Sequence, residues 1–290
     1  MPAQLSTDSA HQPMEIVMGL NFGAGLHVAA GQPVNTDAYD GYIGRWSRLF
    51  VPAVLEAAEI AAGDRVIDVS TGTGEAARMI LPIVGPSGLV IGADLSLAML
   101  EGARRRLDGT AFYPAVADGQ ILPFGNVSAD AVICQLGLQF FADPASGLAE
   151  FRRVLRPGRC AAICVVSSAD RAPMWGILAE VLGRFLPEQR DVLQLTFALS
   201  DAGRVEQLLA GAGFRDVHVE RQTRSDVIAG FDAYWDPIET GTGSIPQAYL
   251  SLCAADRRAV REEVTARLLP FASNGMLNLS VEMLIGKGRA

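Results

Sequence analysis

The chain has 290 residues, half of them hydrophobic and 19% charged, which is enough to bury a full core near the upper size for one domain. Its 24 Lys plus Arg stand against 32 Asp plus Glu, a formal charge of -8, so no general attraction to a phosphate backbone is expected and nucleic acid is excluded as an expected substrate. No apolar run is long enough to cross a bilayer, and the first residues lack the Lys/Arg-rich start and apolar core of a secretory signal, so a cytoplasmic location is expected.

Residues 1–35 are rich in Gly, Ala and polar residues and are expected to form a flexible tail in which Met14 to Leu20 could dock as a short apolar segment. From Arg45 to Ile60, Trp46, Leu49, Phe50, Val54 and Leu55 recur at helical intervals up to the break at Gly63-Asp64, which predicts a helix. A strand Arg65 to Val69, a glycine turn, a helix Glu75 to Val84 and a strand Leu89 to Ala93 then form a βαβ unit. The alternation continues with a helix Leu97 to Leu107, strands at Ala111 to Val116 and Ala131 to Leu136, a helix Pro144 to Leu155 and a strand Cys160 to Val166. Asp143-Pro144 supplies a cap and a first-turn proline, and Pro157-Gly158 supplies the stop. Such alternation predicts an α/β fold, a parallel sheet covered on both faces, with ligand chemistry at the carboxyl ends of its strands.

Beyond Ser168 the rhythm changes. Met174 to Leu186 reads as an inserted helix, Asp201 to Ala212 as another ended by Gly213, and Phe214 to Glu220 as a strand. Asp256 to Leu269 is helical, with Val260, Val264, Leu268 and Leu269 on one face, and Leu277 to Ile285 is a closing strand. The expected organisation is one domain over 36–290 with helical lid insertions at about 171–200 and 225–275. Cys134, Cys160, Cys164 and Cys253 show no C-x-x-C spacing and are expected to be buried free thiols, with no metal site.

The segment Val66-Ile-Asp68-Val-Ser70-Thr-Gly72-Thr-Gly74 puts an acid inside the end of a buried strand, then a turn of small residues feeding a helix whose first amides are free. Gly72-x-Gly74-x-x-Ala77 also satisfies the dinucleotide fingerprint, with Asp94 about twenty residues further on. Asp68 favours a different ligand, because a carboxylate before the turn repels a pyrophosphate but pairs with the cationic amino group of S-adenosylmethionine. Asp94, ending the second strand, can accept hydrogen bonds from both ribose hydroxyls, or could cap the next helix, a task for which Ser96 is equally suited. Asp118-Gly119, after the third strand, is placed to read an adenine amino group, or could be an ordinary Asp-Gly turn.

These motifs, together with Gly92-Ala-Asp94-Leu-Ser96 and Met99-Leu100, Leu122-Pro123-Phe124 and Arg153-Val-Leu-Arg-Pro-Gly158, resemble in order and spacing the class I S-adenosylmethionine methyltransferases, most of all the ubiquinone/menaquinone biosynthesis C-methyltransferase branch. The resemblance runs from about Tyr39 to Val166 and more loosely over Phe197 to Val219. It implies a Rossmann-like, seven-stranded, mostly parallel sheet with an antiparallel last strand. It also implies that Asp68, Ser70, Gly72, Thr73 and Gly74 surround the methionine part of S-adenosyl-L-methionine, that Asp94 holds the ribose, and that Leu95 and Met99 flank the adenine. Asp118 and Gly119 would take the adenine edge, and Gln135 would face the methionine or methyl group. Tyr39, Tyr42 and Arg45-Trp46 resemble an N-terminal segment that closes over the cofactor, although Tyr42 and Trp46 could equally pack a helix on the sheet. Two positions depart from the pattern: Ser70 stands where Gly is usual, and so does Arg159.

Transfer from a sulfonium is an in-line displacement that alignment and water exclusion can promote, so no dedicated base is obligatory, and no catalytic residue is assigned. Of His11, His27 and His218, none falls at a strand end near the cofactor motifs. Met174, Trp175, Phe185, Trp235 and Tyr249 suit a lid over a small hydrophobic methyl acceptor but equally suit that lid's own core; Asp236, Glu239 and Tyr249 are candidate polar contacts. Three functions stand at this point: a methyltransferase acting on a small metabolite at carbon, oxygen or nitrogen, an NAD-dependent oxidoreductase, and a non-catalytic cofactor-binding module. Neither the acceptor nor the oligomeric state is legible.

Overall fold

A computed structural model describes residues 36–240 and 243–290; the expected tail, with His11 and His27, lies outside these residues. The strands are β1 Arg65–Val69, β2 Leu89–Asp94, β3 Phe112–Val116, β4 Ala129–Gln135, β5 Leu155–Val166, β6 Arg215–Ile228, β7 Ala272–Ser273 and β8 Met276–Arg289. They form one sheet in the order β3-β2-β1-β4-β5-β8-β6, with the two-residue β7 paired to β8 as an addition to the seven strands expected. Neighbours from β3 to β5 are parallel, and β8 is antiparallel to both β5 and β6.

The central strands form because they are apolar on both faces, as a doubly covered parallel sheet requires. Val66, Ala131, Ile133, Ala162, Cys164 and Val166 pack with helices Val51–Ala57, Glu75–Val84 and Pro173–Phe185 on one face. Ile67, Val69, Val132, Ala161, Ile163 and Val165 pack with helices Pro144–Val154 and Ala202–Gly211 on the other. Local chemistry sets the helix starts. Ser96 accepts from the Met99 amide, Asp143 from Ala145 and Asp201 from Gly203, each satisfying an orphan first-turn donor.

The structure differs from the sequence expectations at both ends of the domain. The helix expected over Arg45 to Ile60 begins earlier, at Thr36. It passes through a π turn at Asp40–Gly44, is interrupted before Val51, and ends at Ala57. β6 and β8 are each 14 residues long, well beyond the expected Phe214–Glu220 and Leu277–Ile285. β5 stops at the Val166–Met283 pair, while β6 and β8 stay paired through Ile228–Leu277. This overhang of six pairs, about 20 Å at the usual rise, stands past the carboxyl ends of β1, β4 and β5. Leu277, Leu279, Val281 and Met283 on its inner face pack with helices Gly230–Glu239, Ser244–Ser251 and Ala254–Leu268. Cys134, Cys160 and Cys164 are buried free thiols, but Cys253 is exposed because it precedes a surface helix instead of lying in a strand. Among the described residues no helix is long and apolar enough to cross a membrane.

Candidate functional site

The parallel strands deliver their acids to one edge. Asp68, the fourth residue of β1, is 1% exposed and lies in register with Gly92 of β2 and Ile133 of β4. Its Oδ2 accepts from Thr71 Oγ1 at 2.7 Å, and it has no ion-pair partner among the described residues. Burial, reinforced by the charge of Asp94, pushes its carboxyl from 3.8 up to about 7. The Cys134 thiol beside it is pushed up to about 12 by burial and by the Asp68 charge.

The turn after β1 is built from left-handed residues. Ser70, Gly72 and Gly74 have φ of +58°, +56° and +79°, which explains why glycine suits the Ser70 position and what Ser accepts there. Asp94 Oδ2 accepts from the Gly72 amide at 2.9 Å and Oδ1 from the Ser96 amide at 2.8 Å. Asp94 therefore braces the turn, and Ser96 is the side-chain cap of the following helix; burial raises the Asp94 carboxyl as well. Leu95 and Met99 are half-buried beside it. Asp118 closes its own turn onto Gln120, accepting from the amide at 2.8 Å. Gly119 is enclosed, because a Cβ there would fall 2.8 Å from Val69 Cγ1 and meet the Phe141 ring. Gly137, following β4, could carry no Cβ without entering the Ser70 side chain. The chain thus brings Asp68, Ser70, Gly72, Gly74, Asp94 and Gly137 together around one close-packed backbone cradle.

The segment from Thr36 to Ser47 lies across this edge. Tyr39 Cε1 and Oη each lie 3.9 Å from where a Gly72 Cβ would be, and burial together with the Asp94 and Asp40 charges raises its phenol. Thr73, expected to face the ligand, donates through Oγ1 to Asp40 Oδ1 at 2.6 Å. Gln135 donates through Nε2 to the Ser47 carbonyl at 2.6 Å, tying the segment to the end of β4. Tyr42 is placed differently from Tyr39: it is 2% exposed and sits with the helical layer, where burial and neighbouring Tyr234 raise its phenol well above the usual value.

Tyr234 is the hub of that layer. Its hydroxyl donates to the Met174 carbonyl at 2.6 Å, and its ring meets Trp235 edge-on at 5.6 Å. In the same core cluster, Tyr42 Oη and the indole Nε1 of Trp46, Trp175 and Trp235 are buried without a hydrogen-bond partner among the described residues. Unpaired buried groups of this kind cost about 1–3 kcal/mol each, which makes them candidates for ligand contact. Tyr249 donates to Glu239 at 2.9 Å, whereas Asp236 and Glu239 are exposed residues. His218 lies exposed on β6. Sequence reasoning had not found Thr71, Asp40, Arg106, Gly137 or Tyr234; the signal for Gly137 was present as a small residue two positions after Gln135, and the others depend on partners distant in sequence.

The site can be tested for a cationic nucleoside. A buried acid with no counter-cation among the described residues, and a second acid bracing a turn of positive φ whose Gly72 has open space beside it, fit a ligand that carries an ammonium group and approaches the backbone. Residues 66–158 match the family described as Methyltransferase domain. The chain is 30% identical over 164 residues to a ubiquinone/menaquinone biosynthesis C-methyltransferase from Coxiella burnetii, covering 55% of this chain and 64% of that one. It is 35% identical over 147 residues to a demethylmenaquinone methyltransferase from Renibacterium salmoninarum, covering 51% and 58%. It therefore spans about three-fifths of the length of these relatives. A putative methyltransferase from Bacillus halodurans shares the fold at a TM-score of 0.53 and 20% identity, covering 82% of this chain and 97% of that one. Over residues 66–158 the chain is thus similar to methyltransferase domains, among them ubiquinone/menaquinone C-methyltransferases.

Proposed function

We propose that the chain binds S-adenosyl-L-methionine at the β1–β2 edge and methylates a small hydrophobic acceptor held beneath the helical layer. The observation that carries the reading is Asp68, buried to 1% exposure without a counter-cation among the described residues. Asp68, Ser70, Gly72, Thr73 and Gly74 would hold the methionine part, Asp94 the ribose, and Leu95, Met99, Asp118 and Gly119 the adenine, with Gln135 and Tyr39 closing the site. When bound, the sulfonium supplies an activated methyl group. The chain's own residues supply charge pairing, orientation and exclusion of water.

Helices Pro173–Phe185, Gly230–Glu239, Ser244–Ser251 and Ala254–Leu268 are read as the lid. The donors around Tyr234 suit an acceptor that presents oxygen atoms to them, and the names of the matched relatives support carbon methylation of a quinol-type ring. Carbon methylation of such a ring would form the ring C–CH3 bond as the donor's S–CH3 bond breaks, leaving S-adenosylhomocysteine and releasing the ring proton, for which no side chain is assigned as acceptor. Calorimetry tests the cofactor reading: saturable S-adenosylmethionine binding, abolished in Asp68→Ala and Asp94→Ala, supports it. Protection against heat unfolding by NAD but not by S-adenosylhomocysteine would replace it with an oxidoreductase. Tight cofactor binding without turnover on a panel of quinols, phenols and amines would replace it with a binding module.

A further inference from the structure

The Thr36–Ser47 segment is fastened at both ends. Arg45 Nε pairs with Asp226 Oδ2 at 2.5 Å, and Arg45 Nη2 donates to the Val227 carbonyl at 2.6 Å, both on the β6 overhang. At the other end Asp40 is shared by two partners: Thr73 Oγ1 donates to Oδ1, and Arg106, in the last turn of the Leu97–Arg106 helix, pairs with Oδ2. Arg106 Nη1 also donates to the Thr73 carbonyl at 3.1 Å and to Thr73 Oγ1 at 3.2 Å, and lies 3.5 Å from Glu75 Oε2. The same helix seats the start of the segment, since Thr36 Cγ2 fills the space a Cβ on Gly102 would need. Tyr39, next to the Asp40 anchor, rests over Gly72.

A planar guanidinium can bridge a carboxylate, a carbonyl and a hydroxyl at once, which an ammonium cannot. The Arg106 and Asp40 side chains are only 26% and 15% exposed, so the pair is less screened than an open surface bridge. Arg104 and Arg105 belong to the same basic run, yet neither makes an ion pair among the described residues. Nor would removing Arg106 leave Glu75 unpaired, because Arg78 lies 2.8 Å from it. What Arg106 specifically holds is the join between the segment and the residues that follow the glycine turn.

Resting on the cofactor reading above, we infer that Arg106 is a positioning residue: through Asp40 and Thr73 it latches the Thr36–Ser47 segment over the cofactor turn, and unlatching sets how fast the cofactor product leaves. The test uses the full chain with S-adenosylhomocysteine as probe and measures its dissociation rate by chase with excess ligand. Arg106→Ala and Asp40→Asn should each speed dissociation by about tenfold, about 1.4 kcal/mol, with association within about twofold. The double variant should be no faster than either single, because both remove one shared latch. Arg104→Ala should match the parent, and Arg106→Lys should fall between parent and Arg106→Ala.

Hydrogen exchange of the ligand-free chain supplies a readout independent of the cofactor. Amides of residues 39–47 should exchange faster in Arg106→Ala, while those of β1 and β4 stay protected, showing that the fold is intact. Parent-like dissociation and exchange in Arg106→Ala, or effects that multiply in the double variant, overturn the latch. A parent chain that binds no S-adenosylhomocysteine overturns the cofactor reading and the latch with it.

Discussion

Replacing Asp68 by Asn should make the ligand-free protein more stable and its cofactor binding weaker. The carboxyl titrates at about 7 in the fold against 3.8 in the open chain. Because the folded value is raised, its contribution is neutral below pH 3.8, where both states are protonated, and unfavourable as pH climbs to about 7. At about 1.4 kcal/mol per pH unit the full cost is about 4 kcal/mol at pH 8. An amide of the same shape escapes that cost but must itself be hydrogen-bonded, leaving a net gain of roughly 2–3 kcal/mol. Thermal unfolding should therefore rise by about 5 °C at pH 8 and fall by a few degrees near pH 4, where the ionisation cost is gone and the amide's penalty of about 1–2 kcal/mol remains. Calorimetry on S-adenosylmethionine should show the opposite sign. Losing a charge-assisted contact worth about 1.5–3 kcal/mol weakens binding roughly tenfold to a hundredfold. Parent affinity should also climb with pH towards 7, as the carboxyl ionises, and the variant's should stay flat. Equal stabilisation at pH 5 and pH 8, or an unchanged pH slope of binding, would refute the assignment of Asp68 as the ammonium partner.

Ser70→Gly should add about 1 kcal/mol of stability by relieving a left-handed residue at φ +58°, read as a rise of about 2 °C in thermal unfolding. Gly137→Ala should cost about 1–3 kcal/mol, because its Cβ would enter the Ser70 side chain and lie 3.0 Å from Cys134 Sγ. In the Ser70→Gly background the same change should cost clearly less, and strict additivity in urea unfolding would show that the two do not share that space. Tyr234→Phe strips the Met174 carbonyl of its 2.6 Å donor and should lower stability by about 1–3 kcal/mol. An unchanged midpoint of chemical unfolding would deny Tyr234 its role as hub.

The strands that carry the cofactor motifs were legible because their chemistry is local. Val66, Ile67 and Val69 form an apolar run, broken by Asp68 alone, that a strand covered on both faces buries, and Asp143-Pro144 and Ser96 mark helix starts by their own side chains. β6 was read short because Gln222, Arg224 and Asp226 look like loop residues. They are strand residues where the overhang leaves the sheet, with Asp226 paired to Arg45. The N-terminal helix was read to begin at Arg45 because Tyr39 and Asp40 carry no helical apolar signal. Their conformation is set by Gly72, Thr73 and Arg106, tertiary partners that no local pattern announces. Tyr234 and Met174 are likewise 60 residues apart. Tyr42 carried the same aromatic signal as Tyr39, and only three-dimensional placement separates the residue over the turn from the one in the helical layer.

The two halves of the site rest on different physics, and this bears on how substrate and fold can vary independently. The proposed cofactor edge is made largely of backbone: positive-φ turns, amides bonded to Asp94, and, at Gly119 and Gly137, glycines with no spare volume, where a larger side chain disturbs the packing. The proposed acceptor side is made of side chains on helices that pack on the inner face of the β6–β8 overhang. Orphaned donors at Trp46, Trp175 and Trp235 can be exchanged for apolar groups of similar shape at little cost in stability, since a donor without a partner contributes nothing favourable to the fold. Changes there should alter which acceptor is held while leaving cofactor affinity intact. The Thr36–Ser47 segment is the exception, because Tyr39 serves the first half while Tyr42 and Trp46 serve the second. A change that shifts this segment moves both halves together, and that gives the Arg106–Asp40 pair an influence on the site out of proportion to its modest burial.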